Sequence, residues 1–419
     1  MKNLALHWKI LIGMALGVGF GLIMANFEFG KGFISDWIKP FGTIFINSLK
    51  LIAIPLILAS LIKGISDLKD ITKLSKMGGA TIAIYMITTL IAVSIGLIVV
   101  NVIKPGDSIS DETRIELISA YESDADQKRA VAEDTKNSGP LQTLIDVVPS
   151  NIVSAASDNK NMLQIIFFSI LFGIAMILIP EKKSRPIKDF LDSFNDVILK
   201  RIDLIMLFAP YGVFALLATL IVEAPKWDLL KSLLLYSLTL ILGLAILIVL
   251  YLIIVKIFTG KSPNYFLKGI LPAQLVAFST SSSAATLPVT MDRVHNHLGV
   301  KEEVSSFVLP IGATINMDGT ALYQAIAAVF IAQTFGLDLS LGAQLGIILT
   351  ATLASIGAAA VPSAGIIVLV IVLSQAGIPE AGLALIFAVD RPLDMCRTVV
   401  NISGDATVSM LVNKLIKKK

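Results

Sequence analysis

Long runs of hydrophobic residues, separated by short polar segments, fill most of the chain. Each run approaches or exceeds the roughly 20 residues that a helix needs to cross the hydrocarbon core of a bilayer. The runs do not alternate strictly, as membrane β-strands would, and a helix satisfies its own backbone hydrogen bonds in lipid. Runs of this kind lie at 8–26, 41–64, 78–103, 162–180, 203–222 and 230–256. The pattern predicts an all-α polytopic membrane protein.

Two later apolar runs, 271–291 and 345–373, are interrupted near their middles. A serine run and Pro288 interrupt the first, and a stretch of small residues with Pro362 interrupts the second. Proline removes a helical hydrogen bond, and freed backbone at membrane depth is tolerated only where it lines a cavity. We therefore expect two re-entrant helical hairpins whose tips lie inside the membrane.

Each interrupted run is followed by a segment that contains asparagine and aspartate, NMDGT at 316–320 and NISGD at 401–405. A hairpin followed by a polar segment occurs twice, and this recurrence indicates an internal repeat. The number of preceding spans makes the repeat inverted, with one hairpin entering from each face. This arrangement is typical of secondary transporters, which bind their substrate where the repeats meet.

Lysine and arginine are concentrated in the segments 63–76 and 180–188 and in the C-terminal KLIKKK. All three fall on the same side of the membrane, which the positive-inside rule identifies as the cytoplasm. We therefore expect a multi-pass protein of the plasma membrane with cytoplasmic N- and C-termini. The acidic, polar segment 105–140 then lies outside the cell.

The last long helical stretch carries an unusual number of charges. At 100° per residue, six polar side chains fall within an arc of about 100°. They are Asp390, Asp394, Arg397, Thr398, Asn401 and Asp405. An ionised side chain at the bilayer centre costs about 2.5–3.5 kcal/mol, so a functional use is expected. Three acids outnumber the one arginine, and the surplus carboxylates need another cation.

Two kinds of cation fit these six residues, which we call the stripe. An α-amino acid brings carboxylate and ammonium groups, which suit the planar fork of Arg397 and the carboxylate of Asp394 respectively. Asp318 and Asp405, which lie near asparagines in the sequence, offer hard oxygen ligands for a small alkali or alkaline-earth ion.

Composition excludes several other classes. Hydrophobic residues make up 55% of the chain, and a net charge of +3 gives no indication of nucleic-acid binding. Cys396 is the only cysteine, so neither an intramolecular disulfide nor a cysteine metal cluster can form. No histidine or lysine is placed to activate the serines at 281–283, so we do not expect an enzyme.

Four segments, in this order and spacing, resemble the glutamate/aspartate transporters of the dicarboxylate/amino acid:cation symporter family. They are STSSSAATLP (279–288), NMDGTALYQ (316–324), ASIGAAAVPSAG (354–365) and DMCRTVVNISGD (394–405). The resemblance covers nearly the whole chain. It implies a homotrimer with eight transmembrane helices and two re-entrant hairpins per subunit. It also implies a transport domain that slides like an elevator against a scaffold, driven by sodium ions or protons.

The resemblance implies the following organisation. Scaffold helices 1 and 2 occupy 1–76, and scaffold helices 4 and 5 occupy 162–225. Between them lie transport-domain helix 3 at 77–103 and a polar extracellular loop with the start of helix 4 at 104–161. Transport-domain helix 6 then occupies 226–262, followed by hairpin 1 at 263–298, helix 7 at 299–335, hairpin 2 at 340–376, and helix 8 with the C-terminus at 378–419.

Carried over residue by residue, the resemblance also implies the binding sites. The substrate contacts are Ser282, Ser283, Thr320, Val361, Gly365, Asp394, Arg397, Thr398 and Asn401. One sodium site matches Gly312, Asn316, Asn401 and Asp405. A second matches Thr314, Ser355, Ile356 and Ala358. A third matches Tyr85, Thr88, Thr89, Asn316 and Asp318. Met317 matches the methionine that links substrate and ion sites.

The chain departs from the family pattern at a few positions. Ser281 stands where sodium-driven prokaryotic members often have an arginine. Met395 and Cys396 stand where animal members have a second arginine in the last helix, and Arg391 offers a similar charge one turn away. Ala360 replaces a glycine that is common at the tip of hairpin 2.

The sequence therefore predicts a symporter for aspartate or glutamate that co-transports sodium, with no ranking between the two substrates. Proton coupling is the alternative within the same fold, although the hydroxyls of Tyr85, Thr88 and Thr89 favour sodium. A C4-dicarboxylate carrier has no use for Asp394, and a carrier of neutral amino acids has none for Arg397. The alternative from another class is a protein that acts mainly as an anion channel.

Overall fold

The computed structural model describes residues 6–66, 75–120, 148–157, 161–223, 227–356 and 364–417. Every regular element within these ranges is helical, as the apolar runs predict. The first helices are α1 (Leu6–Met24), α2 (Lys39–Ser66), α3 (Ser75–Ile103), α4 (Asp111–Ala120), α5 (Ile152–Ala156), α6 (Met162–Leu178), α7 (Glu181–Met206) and α8 (Ala209–Glu223). The remainder, apart from the four-residue helix Gly30–Phe33, are α9 (Trp227–Ile254), α10 (Pro263–Thr280), α11 (Ser283–Asp292), α12 (Glu302–Ile315), α13 (Asp318–Thr334), α14 (Leu341–Ile356), α15 (Ala364–Gln375) and α16 (Leu383–Lys417).

Among the described residues, four helical stretches are long and apolar enough to cross a membrane. They are Gly30–Lys63, Met77–Ser108, Asp228–Thr259 and Glu302–Thr334. Shorter apolar helices lie at Ile12–Met24, Gln164–Leu178, Ala209–Thr219, Leu341–Ser355 and Gly365–Gln375. Five of the six spans predicted up to residue 256 each coincide with one helix, and 203–222 does not.

The predicted span 203–222 is wrong in its bounds because the chain turns within it. α7 ends at Met206 and α8 begins at Ala209. Pro210, the second residue of α8, has no N–H to continue the preceding helix but fits the first turn of a new one. α7 itself begins at Glu181, in a segment whose charges hide its helical pattern from a search for apolar runs.

The helices pack in two groups. In the first, α1 runs along α8, and α2 packs against α6, α7 and α8. In the second, α16 packs against α9, α10, α12 and α13, while α3 runs along α13. The groups meet where α8 contacts α16 and where α2 contacts α15. Nearly every residue of α13 is buried, so the polar residues at its start and on α16 lie in the interior.

Helices α10 and α11 pack against each other and are joined at the serine run. Ser281 has a left-handed backbone (φ 52°), and the Oγ of Ser282 accepts a hydrogen bond from the nitrogen of Ala285 at 3.1 Å. The prediction that Pro288 interrupts this run is wrong, since it lies inside α11. The carbonyl that it leaves without a helical donor is that of Ala284, and both residues are exposed.

Helices α14 and α15 also pack against each other. The expected tip of this second hairpin, including Pro362, lies at 357–363 and therefore outside the described residues.

Small residues allow α1 to approach α8 closely. A Cβ atom on Gly17 would lie 2.6 Å from the carbonyl oxygen of Phe214, and one on Gly21 would lie 2.8 Å from the Cβ of Ile221. Gly13 meets the backbone of the same helix in the same way. Glycines spaced four residues apart are a recurrent means of close helix packing in membranes.

We expect Gly17→Ala to lower the midpoint of thermal unfolding of the purified protein. The added methyl group meets backbone, which cannot move aside, and such overpacking typically costs about 1–3 kcal/mol. Gly19→Ala is the matched control on the same helix, because no atom lies within 4 Å of its Cβ position. Equal unfolding midpoints for the two variants would contradict a tight contact between α1 and α8.

Candidate functional site

A break in the backbone separates α12 from α13. The angles of Asn316 (φ −97°, ψ 84°) and Met317 (φ −112°, ψ 54°) lie outside the helical region. The nitrogen of Asn316 still donates to the carbonyl of Gly312 at 2.9 Å, and α13 restarts with Asp318. At this break, the side chains of Asn316 and Asp318 contact residues of α3, α9 and α16.

The carboxylates of Asp318 and Asp405 lie in one buried network of oxygen atoms. The Oγ1 of Thr89 donates to the Oδ1 of Asp318 at 2.6 Å. The Nδ2 of Asn316 donates to the Oδ1 of Asp405 at 2.8 Å, and the Oγ1 of Thr88 donates to the Oδ1 of Asn316 at 3.4 Å. Among the described residues, neither carboxylate is paired with a lysine or arginine. Because buried anions need compensation, the network is suited to bind a cation.

Tyr85 and Gly312 complete one side of this network. The hydroxyl of Tyr85 donates to the carbonyl of Val308 at 3.0 Å. The hydroxyl of Tyr85 and the Oδ1 of Asp405 both come so close to Gly312 that a Cβ atom there would collide with them. The absence of a side chain at this position therefore lets α3, α12 and α16 bring their oxygen atoms together.

Tyr251 belongs to the same network, and sequence reasoning missed it. Its hydroxyl donates to the Oδ2 of Asp318 at 2.5 Å. The sequence did offer a signal for this residue, since a tyrosine hydroxyl within the apolar helix α9 needs a polar partner. The helix contains a second tyrosine, Tyr236. Together, the network joins carboxylate, amide and hydroxyl oxygens in one buried hydrogen-bonded cluster. Oxygens of these kinds are the ligands that Na⁺ and other hard cations prefer.

The other predicted ion site, formed by Thr314, Ser355, Ile356 and Ala358, is not assembled by the described residues. Thr314 is exposed, and its hydroxyl donates to a carbonyl of its own helix at 3.0 Å. The hydroxyl of Ser355 likewise donates within α14, at 2.8 Å. Ile356 is the last residue of α14, and Ala358 lies outside the described residues. This site stays a prediction.

The guanidinium of Arg397 is fully buried and incompletely paired. Its Nη2 donates to the Oδ1 of Asp390 and to the Oδ1 of Asp394, each at 2.8 Å. Its plane lies over the ring of Tyr323, with 3.8 Å from Cζ to the ring centroid. The Nε and Nη1 atoms are buried and have no hydrogen-bond partner among the described residues. Arg397 therefore keeps donors for a carboxylate that a ligand would bring.

Residues of two other helices, and of α16 itself, surround this arginine. A Cβ atom on Gly365, at the start of α15, would lie 3.2 Å from the Nη1 of Arg397 and 3.3 Å from the Cγ2 of Thr320. The Nδ2 of Asn401 donates to the Oγ1 of Thr320 at 3.3 Å, and the hydroxyl of Thr398 donates to a backbone carbonyl at 2.9 Å. The fold thus brings together six of the nine predicted substrate contacts: Thr320, Gly365, Asp394, Arg397, Thr398 and Asn401.

The three remaining predicted substrate contacts are placed differently. Ser282 caps α11, and Ser283 is the buried first residue of that helix. Both lie at the turn between α10 and α11, each of which packs against α16. Val361 lies outside the described residues. Met317, the predicted link between substrate and ions, is buried at the break before α13 and packs in an apolar cluster with Ala354 of α14.

The charge balance along α16 differs from the expectation. Arg391, which the stripe leaves out, lies 3.4 Å from Asp394 through its Nη1 atom, and Asp390 is paired with Arg397. Asp390 and Asp394 are thus matched by two arginines, so that of the three acids expected to be in surplus only Asp405 lacks a cationic partner among the described residues. The reason is that Arg391 is one helical turn before Asp394, within reach of its carboxylate. Asp318 likewise has no lysine or arginine partner in the part of the chain that the structure describes.

Comparisons with known proteins agree with these features. A family model described as the sodium:dicarboxylate symporter family matches residues 6–415. The chain is 33% identical to a proton/sodium-glutamate symport protein of Bacillus caldotenax, over 99% of this chain and 95% of that protein. It is 34% identical to a proton/glutamate-aspartate symporter of Escherichia coli (strain K12), over 99% of this chain and 94% of that protein.

A mammalian relative is similar over the same extent. The chain is 38% identical to excitatory amino acid transporter 3 of Homo sapiens, over 100% of this chain and 87% of that protein. The family match covers both groups of helices, the surroundings of Arg397 and the network of Asp318 and Asp405. The chain therefore belongs to the sodium:dicarboxylate symporter family and is an α-helical, multi-pass membrane transporter.

Proposed function

We propose that the protein is a secondary active symporter that takes up aspartate or glutamate together with sodium ions. The observation that carries this proposal is the pair of adjacent buried sites on α16. One is Arg397, two of whose donors have no partner among the described residues, and the other is the network in which no described lysine or arginine pairs with Asp318 or Asp405. Asn401 lies between them, one turn from each along α16.

An acidic amino acid matches the first site. The donors of Arg397 suit the side-chain carboxylate of the substrate, and the carboxylate of Asp394 suits its ammonium group. Asn401 and Thr320 offer polar groups for the rest of the molecule. We assign the further contacts to Ser282, Ser283, Val361, Gly365 and Thr398, in keeping with the family resemblance.

Sodium matches the second site. Its ligands are carboxylate, amide and hydroxyl oxygens, which bind a hard alkali ion well. A separate sodium site, predicted from the family resemblance, would form from Thr314, Ser355, Ile356 and Ala358 when hairpin 2 closes. Proton coupling is the alternative, since the same carboxylates can bind protons, and the named bacterial relatives include both proton and proton/sodium symporters.

We further propose the family architecture for this chain. Eight spans and two re-entrant hairpins would form a homotrimer in the plasma membrane, with cytoplasmic termini. The helices packed around α2 and α8 would form the scaffold, and those packed around α16 would form the moving transport domain. Elevator movement would then take place at the contacts of α8 with α16 and of α2 with α15.

Uptake into proteoliposomes tests the proposal. Labelled aspartate and glutamate are offered under an imposed gradient of sodium, of protons or of potassium. We expect concentrative uptake of at least one substrate only when sodium is higher outside than inside. Uptake driven by a proton gradient without sodium would favour the alternative coupling, and an anion current without concentrative uptake would favour a channel.

Tyr251→Phe should weaken the sodium dependence of aspartate binding. The hydroxyl donates a charge-assisted hydrogen bond to Asp318, and losing such a bond typically costs about 1.5–3 kcal/mol, or roughly tenfold or more in affinity. Aspartate binding is titrated with sodium in purified protein. Tyr236→Phe is the matched control on α9, because its buried hydroxyl has no hydrogen-bond partner among the described residues. Equal shifts in both variants would argue against a role for the contact with Asp318.

A further inference from the structure

The carboxylate of Asp394 is shared by two arginines. Its Oδ1 accepts from the Nη2 of Arg397 at 2.8 Å, and its Oδ2 lies 3.4 Å from the Nη1 of Arg391. Both arginines are on α16, three residues to either side of Asp394. The carboxylate expected to bind a substrate ammonium therefore already lies against two guanidinium groups.

The contact of Arg391 is weaker than that of Arg397. Its distance of 3.4 Å is beyond the usual range of a charge-assisted hydrogen bond. The side chain of Arg391 is 12% exposed, whereas that of Arg397 is fully buried. Its Nε atom is buried and has no hydrogen-bond partner among the described residues. A partner held at this distance, on a side chain that still reaches solvent, is easily displaced.

A substrate ammonium bound by Asp394 would meet the guanidinium of Arg391 at the same carboxylate. Two cations on one carboxylate repel each other, and the repulsion is strong where water is scarce. The ammonium must therefore push Arg391 away or bind against its charge. A dicarboxylate that lacks an ammonium group has no such conflict and gains from the positive charge that Arg391 places beside Asp394.

We infer that Arg391 is a specificity-determining residue, which neutralises Asp394 in the empty site and lowers the preference for amino acids over simple dicarboxylates. The inference rests on the proposed binding of the substrate ammonium by Asp394. Arg391 acts through Asp394 and is a positioning residue. Its removal should move the affinities for the two classes of ligand in opposite directions, which a structural role does not do.

Arg391→Gln is the variant that tests this inference. We expect tighter binding of aspartate and weaker binding of succinate, so that the ratio of the two affinities rises by about tenfold or more, given the usual cost of like charges in a binding site. Arg391→Met removes the same charge with an apolar side chain of similar reach, and it serves if the glutamine variant does not fold. Arg391→Lys keeps the charge and should keep the ratio near that of the parent.

Binding is measured on the purified full-length protein in sodium, with succinate and unlabelled aspartate competing against labelled aspartate. Arg114→Gln is the matched control, because Arg114 also pairs with an aspartate, Asp111 at 3.1 Å, but outside this cluster. An unchanged ratio in both Arg391→Gln and Arg391→Met, or a parallel change for both ligands, would overturn the inference. A parent protein that binds no acidic amino acid would instead overturn the proposed function.

Discussion

Replacing Arg397 with cysteine is expected to abolish the preference for acidic over small neutral amino acids. The variant loses the two buried donors, Nε and Nη1, that suit the side-chain carboxylate. Deleting one partner of a desolvated charge pair costs about 2–5 kcal/mol or more, so aspartate affinity should fall by at least about thirtyfold. Serine and alanine keep the contact of their ammonium group with Asp394 and should gain relative to aspartate.

The structure also specifies the controls for this variant. Arg397→Cys leaves Asp390 buried without its partner at 2.8 Å, which by itself is destabilising. Arg397→Cys combined with Asp390→Asn removes that unpaired charge and should show the same change of selectivity. Asp394→Asn should instead impair acidic and neutral substrates alike, since all of them carry an ammonium group.

Selectivity is measured by competition against labelled aspartate and by direct uptake of labelled serine. If both Arg397→Cys variants still prefer aspartate over serine as strongly as the parent does, Arg397 does not determine selectivity. The charged residues of α16 would then serve to hold helices together.

Asp405→Asn is expected to weaken the sodium dependence of aspartate binding with little change in substrate selectivity. The carboxylate of Asp405 accepts from Asn316 and has no cationic partner among the described residues, so its charge is available to an ion. Losing a buried carboxylate ligand should lower apparent sodium affinity by at least about tenfold. In the parent, linkage requires that aspartate raise sodium affinity by the same factor by which sodium raises aspartate affinity.

This prediction is checked by titrating aspartate binding at several sodium concentrations in the parent and the variant. Asp292→Asn provides a control, because Asp292 accepts from the exposed Asn296 and lies outside the network. Equal affinity of the parent for aspartate in choline and sodium buffers would refute sodium coupling. A large change in the preference of Asp405→Asn between aspartate and serine would place Asp405 at the substrate.

Most helices could be predicted from the sequence, because a bilayer demands long apolar runs whatever the tertiary fold is. The exceptions have local causes. The charged start of α7 carries no apolar run, Pro210 begins a new helix within a run, and Pro288 is accommodated inside α11. Hydropathy counts residues but does not show which carbonyl a proline leaves free or whether that carbonyl is exposed.

Much of the candidate site could also be read from its motifs. Asn316, Asp318, Arg397, Asn401 and Asp405 lie on two segments that are conspicuously polar for an interior helix. Tyr251 and Tyr323 were missed or left without a role, and Arg391 was expected only to offer the charge of the family's second arginine. Each is a common residue type whose part depends on a neighbour from another helix or from the adjacent turn.

The sequence by itself determined that this is a helical membrane protein, that its polar motifs occur twice, and that an arginine and several carboxylates share one face of the last helix. These follow from composition and periodicity, which are properties of single segments. Only the tertiary structure decided how the charges are divided. It paired Asp390 and Asp394 with two arginines, whereas the partners of Asp318 and Asp405 within the described part of the chain are hydroxyl and amide groups. The division depends on distances of a few ångströms between segments far apart in the chain, and electrostatic energy at low dielectric changes steeply over such distances.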